Sequence, residues 1–328
     1  MRRRAFITLL TSAAACASVP AVAQAPRRPV VALVMTSVSG TDISGPDPRF
    51  APARAFVSEL RDLGWIDGQT IAIERFTLEG SAQRTPELLA DLVARKVDVI
   101  VLGGTRWLHD AALAATKTTP LVTLFQDDPV AAGLIASLAK PGGNLTGVAQ
   151  TTGPEFFRKR LQLLKEIAPR ISRVAFIGPQ GVLQQDRQMA AAPGITIIPI
   201  QVDIVDQLDA AFDTIRRERA DGLMVAGSGV IYGYYPRIVG FAAAQRLPAI
   251  HAIREAVVDG GLMSYGTSIP RIFRQMARLT DRILKGARPN DLPTEQAATF
   301  ELVVNAATAK TLGLEVPPTM LALADEVI

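Results

Sequence analysis

Short apolar runs alternate with stretches of helical spacing along most of the chain, and this alternation limits the possible folds more than any other feature. The runs at 30–36, 97–102 and 121–125 are rich in Val, Ile and Leu, and each is followed by polar or glycine residues. Residues with helical spacing come next in every case. Continuous apolar runs are typical of buried parallel strands, and strands that alternate with helices form a parallel sheet covered on both faces. The sequence therefore predicts an α/β fold.

The same order starts again after residue 150, with a predicted helix at 154–167 and a strand at 173–177. Further apolar runs predict strands at 195–202, 222–226, 248–253, 261–266 and, last, 299–304. Pro289 and Pro293 predict an extended linker before that last strand. Because a chain of 328 residues is long enough for two cores, we expect two Rossmann-like lobes, each with its own parallel sheet.

The run at 121–125 ends in Gln126, Asp127, Asp128 and Pro129, and the next ten residues have helical spacing. This pattern predicts a buried strand that leads into a helix, with Pro129 in the first turn and an aspartate as its cap. In open parallel sheets, ligands bind beyond the carboxyl ends of the strands. We therefore expect Gln126 and Asp127 to face a cleft.

Residues 1–23 have the features of an export signal. Three arginines at positions 2–4 precede an apolar segment, and Ala21 and Ala23 provide a small-residue site for cleavage after Ala23. Arg3 and Arg4 resemble a twin-arginine signal, and the sequence leaves the twin-arginine and general routes open. The segment predicts a periplasmic protein.

Cys16 is the only cysteine of the chain and lies inside this segment. We interpret it as a small apolar residue of the signal rather than a lipid attachment site, because no bulky aliphatic residue stands among the three alanines before it. Its removal would exclude thiol catalysis, disulfides and thiolate metal sites. The formal charge of +4 falls to 4 − 3 = +1 without the three arginines, so no nucleic-acid partner is expected.

Glycines at 227, 229 and 233 follow a predicted strand, but the last of them is one residue too late for a dinucleotide fingerprint. His109 and His251 are the only histidines, and neither has a Cys or an acidic residue at metal-ligand spacing. We expect no cofactor and no metal. We expect His109 to be solvated on a surface helix, whereas His251 is placed equally well in the core or at a ligand.

Ser37 and Ser228 lack the G-x-S-x-G context of a hydrolase nucleophile. A secreted hydrolase would need His251 as its base, which leaves this class as an alternative. Tyr232 could stack on a ligand ring or pack in the interior. Arg106 could form an ion pair at the rim of a cleft or bind a ligand carboxylate.

Four motifs carry a family resemblance across nearly the whole chain after the signal. They are DPVAAGLIASLAKPGGNLTG at 128–147, GGLMSYG at 260–266, RILKGARPNDLPTEQ at 282–296 and the segment from FELVVN to the final ADEVI. The chain resembles the solute-binding proteins of the TrpX-like group of bacterial ABC importers, whose ligands are aromatic. The resemblance implies a type I periplasmic-binding fold with a three-strand hinge near 150, 265 and 295. The lobes would comprise 28–149 with 265–292, and 150–264 with 295–328.

The resemblance also implies a function: capture of a small polar solute, an aromatic amino acid or an aromatic acid, and its delivery to an ABC permease without catalysis. A monomer is expected, and a ligand-sensing domain for a signalling partner is a further alternative. Helix amides after Thr36, Gly104 and Gly178 would bind an anionic group, and Asp127 would bind an ammonium group. The candidate ligand contacts are Thr36, Ser37, Gly104, Thr105, Arg106, Gln126, Asp127, Gly178, Pro179, Ser228, Tyr232, His251, Arg254 and Tyr265.

Overall fold

The computed structural model describes residues 27–150, 154–187, 194–297 and 299–328. The predicted signal at 1–23 and Cys16 lie outside the described residues. The strands of the described part are β1 (Val30–Met35), β2 (Ala72–Thr77), β3 (Val99–Leu102), β4 (Leu121–Phe125), β5 (Leu145–Gln150), β6 (Arg173–Gly178), β7 (Thr196–Gln201), β8 (Gly222–Val225), β9 (Ala249–His251), β10 (Met263–Thr267), β11 (Glu295–Ala297), β12 (Phe300–Val304) and β13 (Glu326–Val327).

Helices connect most of these strands. They are α1 (Gly40–Ile43), α2 (Ala51–Asp62), α3 (Thr85–Ala94), α4 (Arg106–Ala115), α5 (Pro154–Ile167), α6 (Gln180–Arg187), α7 (Leu208–Arg217), α8 (Gly229–Ala244), α9 (Arg254–Val258), α10 (Ile269–Leu284), α11 (Ala306–Leu312) and α12 (Pro318–Leu323). Short 3-10 turns lie at Val205–Gln207 and Pro289–Asp291. Within the described residues, each helix is too short or too polar to cross a bilayer.

The described strands form two sheets. The first has the order β11-β5-β4-β3-β1-β2 and is parallel throughout. The second has the order β13-β12-β10-β9-β8-β6-β7, in which only the β10 and β12 pair is antiparallel. Each sheet is covered by apolar clusters on both faces. The predicted α/β class with two largely parallel sheets is confirmed.

We call the first sheet and its helices the first lobe, and the second sheet and its helices the second lobe. The described part of the chain passes between the two sheets after β5, after β10 and after β11. Helix α10 follows β10 and packs along α2 of the first lobe. Gln150 Nε2 donates to Thr267 Oγ1 at 3.1 Å, so the ends of β5 and β10 are tied together beside the crossings.

Four local predictions were wrong. Residues after Pro129 form turns rather than a helix, and Gly133 has a φ of 71°. Pro289–Asp291 is a 3-10 turn instead of an extended linker. Strand β12 is not the last strand, because β13 adds to its edge in parallel. Segment Glu295–Ala297, placed with the second lobe by sequence, pairs with β5 in the first sheet.

Candidate ligand-binding cleft

The carboxyl ends of the strands in the two sheets meet face to face. The first turn of α8, from the second lobe, lies directly against the ends of β1 and β3. A Cβ atom placed on Gly229 would lie 2.4 Å from Thr36 Oγ1 and 3.0 Å from the Gly103 carbonyl oxygen. A Cβ atom on Gly233, one turn later, would lie 2.1 Å from the Ser37 carbonyl oxygen. The two lobes therefore touch along these strand ends.

A small cavity remains at the centre of this contact, with a volume of about 30 Å³. Its wall is mostly apolar, with contributions from Met35, Leu124 and Phe273, and Thr36, Gln126 and Ser228 supply polar groups. A volume of this size holds one or two water molecules. We call it the inner cavity.

A larger space opens on the surface between the lobes, with a volume of about 630 Å³. Residues of the loop before α2 form one wall, and residues of α8 and α9 form the other. We call it the outer groove. Val38, Phe50 and Tyr232 line both the inner cavity and the outer groove.

Phe50 and Tyr232 form an aromatic pair across the two lobes. Their ring centroids are 5.2 Å apart and the rings are nearly perpendicular, at 87°. The Tyr232 hydroxyl is buried beside the Glu255 carboxylate. Burial, followed by the nearby Glu255 carboxylate, raises the pKa of Tyr232. The hydroxyl is thus a neutral group at the boundary between the inner cavity and the outer groove.

Two hydroxyls at the end of β1 lack partners within the described structure. Thr36 is fully buried and lines the inner cavity, while Ser37 is 7% exposed and lines the outer groove. Buried hydroxyls are usually hydrogen-bonded, because an unmade bond leaves the cost of desolvation uncompensated. The Thr36 and Ser37 hydroxyls are therefore free to bond to a polar group in the seam between the lobes.

Gln126 and Asp127 lie at the end of β4, as the sequence predicted. Gln126 is 6% exposed and lines the inner cavity. Asp127 reaches the second lobe, since a Cβ atom on Gly181 would lie 3.0 Å from Asp127 Oδ2. Burial raises the pKa of this carboxyl group. Asp128 instead accepts bonds from the N–H groups of Val130 and Ala131, and so caps the turn.

The segment after β3 provides a tight backbone contact and an ion pair. Gly104 has a φ of 66°, and a Cβ atom there would lie 2.5 Å from the Leu124 carbonyl oxygen, so only glycine fits. Thr105 is buried with an unpartnered hydroxyl. Arg106 Nε donates to both carboxylate oxygens of Asp110 at 2.9 and 3.0 Å. Of the two roles that the sequence left open for Arg106, the structure shows an ion pair, with Asp110 as the partner.

On the second lobe, Ser228 is buried at the start of α8, where its Oγ accepts the Ile231 N–H at 3.0 Å. Gly178 ends β6, and its carbonyl oxygen accepts the Val202 N–H at 2.9 Å. Pro179 follows it, and its carbonyl oxygen accepts the Leu183 N–H in the first turn of α6.

Nine of the fourteen candidates line neither the inner cavity nor the outer groove: Gly104, Thr105, Arg106, Asp127, Gly178, Pro179, His251, Arg254 and Tyr265. His251 is 1% exposed and has no partner on either ring nitrogen within the described residues. Burial, followed by the charge of Arg160, lowers the pKa of His251 to about 3. Arg254 forms two bonds of 2.6 Å with Glu326, and Tyr265 stacks on Phe300.

The expectation that His109 is solvated was wrong. The ring is 1% exposed, and its Nε2 lies 2.8 Å from Thr123 Oγ1. Burial is the main cause that lowers the pKa of His109 to about 3, and the positive charge of Arg106 adds to it. His109 is therefore a neutral core residue that joins α4 to β4.

Several residues of the seam were not predicted from sequence. Phe50, Asp42 and Glu79 line the outer groove, and Gly233 allows α8 to approach the first lobe. The four-residue spacing of Gly229 and Gly233 was a usable signal, because residues four apart share a helix face. Asp42 lies in α1 and Glu79 in the turn after β2, and no local sequence pattern connects the two.

No group of three or more His, Cys, Asp or Glu side chains in the described ranges could hold a metal ion. Two α/β lobes that meet at their strand ends around a small cavity define the type I periplasmic-binding fold. The chain matches the family model described as "ABC transporter substrate binding protein" over residues 37–328. It belongs to that family, as the sequence motifs indicated.

Individual relatives are distant in sequence and similar in fold. A tyrosine-binding protein of Clostridioides difficile (strain R20291) is 24% identical over 268 residues, which are 80% of this chain and 76% of the relative. A conserved domain protein of Vibrio cholerae superposes with a TM-score of 0.81 at 23% identity, over 92% of this chain and 100% of the other.

Two further solved structures differ in their ligand state. A streptococcal ABC domain in complex with L-Trp gives a TM-score of 0.79 at 23% identity, over 92% of this chain and 100% of the other. The ligand-free, open structure of a substrate-binding protein with adhesive properties from Clostridium difficile gives a TM-score of 0.60 at 22% identity, over 91% of this chain and 99% of the other.

Proposed function

We propose that this chain is the extracytoplasmic solute-binding component of an ABC importer, which captures a small polar solute between its lobes. The unpartnered hydroxyls of Thr36 and Ser37 carry this proposal. They lie in the seam between the lobes, where a solute would supply the missing hydrogen bonds. These hydroxyls are already removed from water in the closed protein, so each hydrogen bond from a solute would offset a desolvation cost that is present without it.

Binding requires the lobes to separate. The inner cavity of about 30 Å³ is far smaller than the several hundred Å³ of an ordinary ligand site. A solute therefore enters an open form and favours the closed one by its greater affinity for it. The crossings after β5, β10 and β11 provide the hinge about which the two lobes would move.

An aromatic amino acid is the proposed solute. The curated relative is a tyrosine-binding protein, and one similar structure holds L-Trp. Phe50 and Tyr232 offer rings against which an aromatic side chain packs, once opening separates them. The higher TM-score against the L-Trp complex than against the ligand-free, open structure agrees with a closed arrangement here.

We further propose export to the periplasm through cleavage after Ala23, action as a monomer and delivery to the transmembrane subunits of an ABC permease. Proteins of this family bind solutes rather than transform them. The positions of the two histidines support a carrier over a hydrolase. Neither His109 nor His251 lines the inner cavity or the outer groove, and each is neutral and buried.

Native mass spectrometry of the purified mature protein, followed by a thermal-shift screen of amino acids, aromatic acids and small peptides, tests the proposal. We expect a one-to-one complex with an unchanged solute and a higher melting temperature. Turnover of an ester or amide that disappears in His251→Ala would instead establish the hydrolase. Failure of every solute to bind would refute the carrier.

A further inference from the structure

Helix α10 presents only arginine side chains to solvent. The exposed residues of this 16-residue helix are Arg271, Arg274, Arg278 and Arg282, and the exposed Lys285 follows directly after it. At 3.6 residues per turn, these five side chains fall within an arc of about 80° and extend over about 21 Å of the helix axis. We call these five residues the basic row.

The acids that pair with the basic row lie beneath it. Glu59, Asp281 and Glu301 are within 4.0 Å of three of its members, and their side chains are 10% to 24% exposed. The three cations themselves are 59% to 61% exposed. Elsewhere on the surface the order can be reversed, as for Asp209, which is 80% exposed against 44% for its partner Arg237. The ion pairs of α10 therefore leave their positive ends facing solvent.

The remaining two members of the row, Arg274 and Arg282, form no ion pair with any described residue. A groove of about 460 Å³ lies beside the row. Its described lining includes Arg271, Arg274 and Arg278 and contains no acidic residue. Guanidinium groups bind phosphate oxygens through two parallel hydrogen bonds, so this surface suits phosphate groups.

The absence of apolar groups from the basic row limits the kind of partner that it fits. Helix α10 is described in full and exposes no apolar side chain, since Ile269 and Phe273 face the inner cavity. A protein interface normally has an apolar or aromatic centre. A row of arginines without such a centre instead fits a fluid surface of negative charge. Without the three arginines at 2–4 the net charge of +4 falls to +1, so attraction to such a surface would depend on this row.

We propose that helix α10 docks on anionic phospholipid headgroups through Arg271, Arg274, Arg278 and Arg282. The interaction is separate from solute capture, because the row and the inner cavity lie on different faces of α10. It depends on the proposed export only for access to the outer face of a membrane. Adsorption there would raise the concentration of the carrier beside the bilayer that holds a permease.

Co-sedimentation of the purified mature protein with vesicles at low salt tests the proposal. We expect binding to vesicles of phosphatidylcholine that contain phosphatidylglycerol, no binding to phosphatidylcholine alone, and release as added salt screens the charges. The double variant Arg274→Gln with Arg282→Gln breaks no ion pair between described residues. It should lower the partition coefficient about tenfold or more, since each arginine near an anionic surface contributes to binding.

A double variant of the second lobe is the matched control. Arg170→Gln with Arg217→Gln removes the same charge from two exposed arginines that are not on α10. It should change the partition coefficient by less than about twofold, because charges farther than a Debye length from the surface are screened. Both double variants should keep the melting temperature and the solute affinity of the unmodified protein, which separates a loss of docking from misfolding.

Equal binding to the two kinds of vesicle, or an equal loss in the two double variants, would overturn the proposal. Glycerol 3-phosphate and poly-L-glutamate serve as competitors. Displacement by glycerol 3-phosphate at the headgroup concentration would assign the groove to a free phosphate ester, and binding of poly-L-glutamate without binding of vesicles would assign the row to an acidic protein. Either result would also overturn docking on lipid. Solute binding is measured separately, so none of these outcomes affects the carrier proposal.

Discussion

At the scale of single residues, the structure separates side chains that stabilise the fold from those held ready for a ligand. Thr116 and Thr36 are both buried threonines. Thr116 Oγ1 accepts the N–H groups of Thr118 and Thr119 at 3.2 and 3.0 Å, whereas Thr36 Oγ1 has no partner in the described structure. The first hydroxyl stabilises a turn, and the second only bears the cost of desolvation.

Thr36→Val should therefore raise the free energy of unfolding of the solute-free protein, by up to about 1 kcal/mol, because it removes an unsatisfied buried hydroxyl. The same change should weaken solute binding about threefold to tenfold, since it removes a hydrogen bond to the solute. Urea unfolding and isothermal titration measure the two effects.

Thr116→Val is the control for that comparison and should lower the free energy of unfolding by about 1 kcal/mol with no effect on affinity. Equal destabilisation by both substitutions would contradict the distinction between the two threonines.

The buried histidines predict a loss of stability in acid. The pKa of His109 is lowered to about 3 in the folded protein, against about 6.5 when unfolded. Between these pH values the unfolded chain binds a proton that the folded chain does not. The contribution of His109 to the free energy of unfolding is therefore complete above about pH 6.5 and is lost as the pH falls toward about 3.

Urea unfolding at a series of pH values tests this prediction. His109→Gln should reduce the slope of the free energy of unfolding below pH 6.5 by about 1.4 kcal/mol per pH unit, the value for one proton. A slope unchanged by the substitution would show that His109 is protonated in the folded protein.

Strand ends were the part of the site that sequence could predict. Thr36, Ser37, Gln126 and Ser228 follow apolar runs, and the structure brings all of them to the seam. His251 was harder to place, because a residue in a buried strand turns toward the core or the cleft according to a register that one sequence does not define.

At the scale of elements, helix α8 governs how closely the lobes approach. Gly229 and Gly233 lie one turn apart on its face toward the first lobe, and a Cβ atom on either would overlap the ends of β1 or β3. The N-terminal turn of α8 therefore closes the seam because two of its residues have no side chain.

Gly229→Ala and Gly233→Ala should hinder closure, and each should weaken solute binding about tenfold, since an overlap of this kind costs about 1 to 3 kcal/mol. Gly240→Ala on the same helix meets no atom within 4 Å and should instead raise the free energy of unfolding by about 0.5 to 1 kcal/mol. Titration and thermal unfolding of the three variants provide the comparison, and equal affinities would contradict it.

The segment after Pro129 shows where a helical pattern fails. Its apolar residues have helical spacing, yet Asp128 caps a turn and Gly133 adopts a left-handed φ of 71°. Leu134 and Leu138 still pack against an apolar cluster of the first lobe. The apolar spacing therefore predicted which residues pack inward but not the local backbone. The side-chain cap of Asp128 and the left-handed φ of Gly133 favour turns over a helix.

At the scale of the whole molecule, apolar residues of both lobes share one cluster. Val239, Ala252 and Ile253 of the second lobe belong to the cluster that includes Met35 and Phe273 of the first. This cluster lies beside the inner cavity, so the seam itself contributes to the stability of the closed form.

Small-angle X-ray scattering should detect the opening that solute entry requires. We expect the solute-free protein to have a larger radius of gyration than this closed arrangement, and a saturating solute to reduce it. A solute-free profile that fits the closed arrangement and does not change on saturation would refute a hinge motion.

The contact between Phe50 and Tyr232 has a kinetic consequence. Because this ring pair joins the lobes over an inner cavity with room for water alone, a solute reaches the space behind the rings only while they are apart. The frequency with which the rings separate then sets an upper limit on the rate of capture, whatever the concentration of solute.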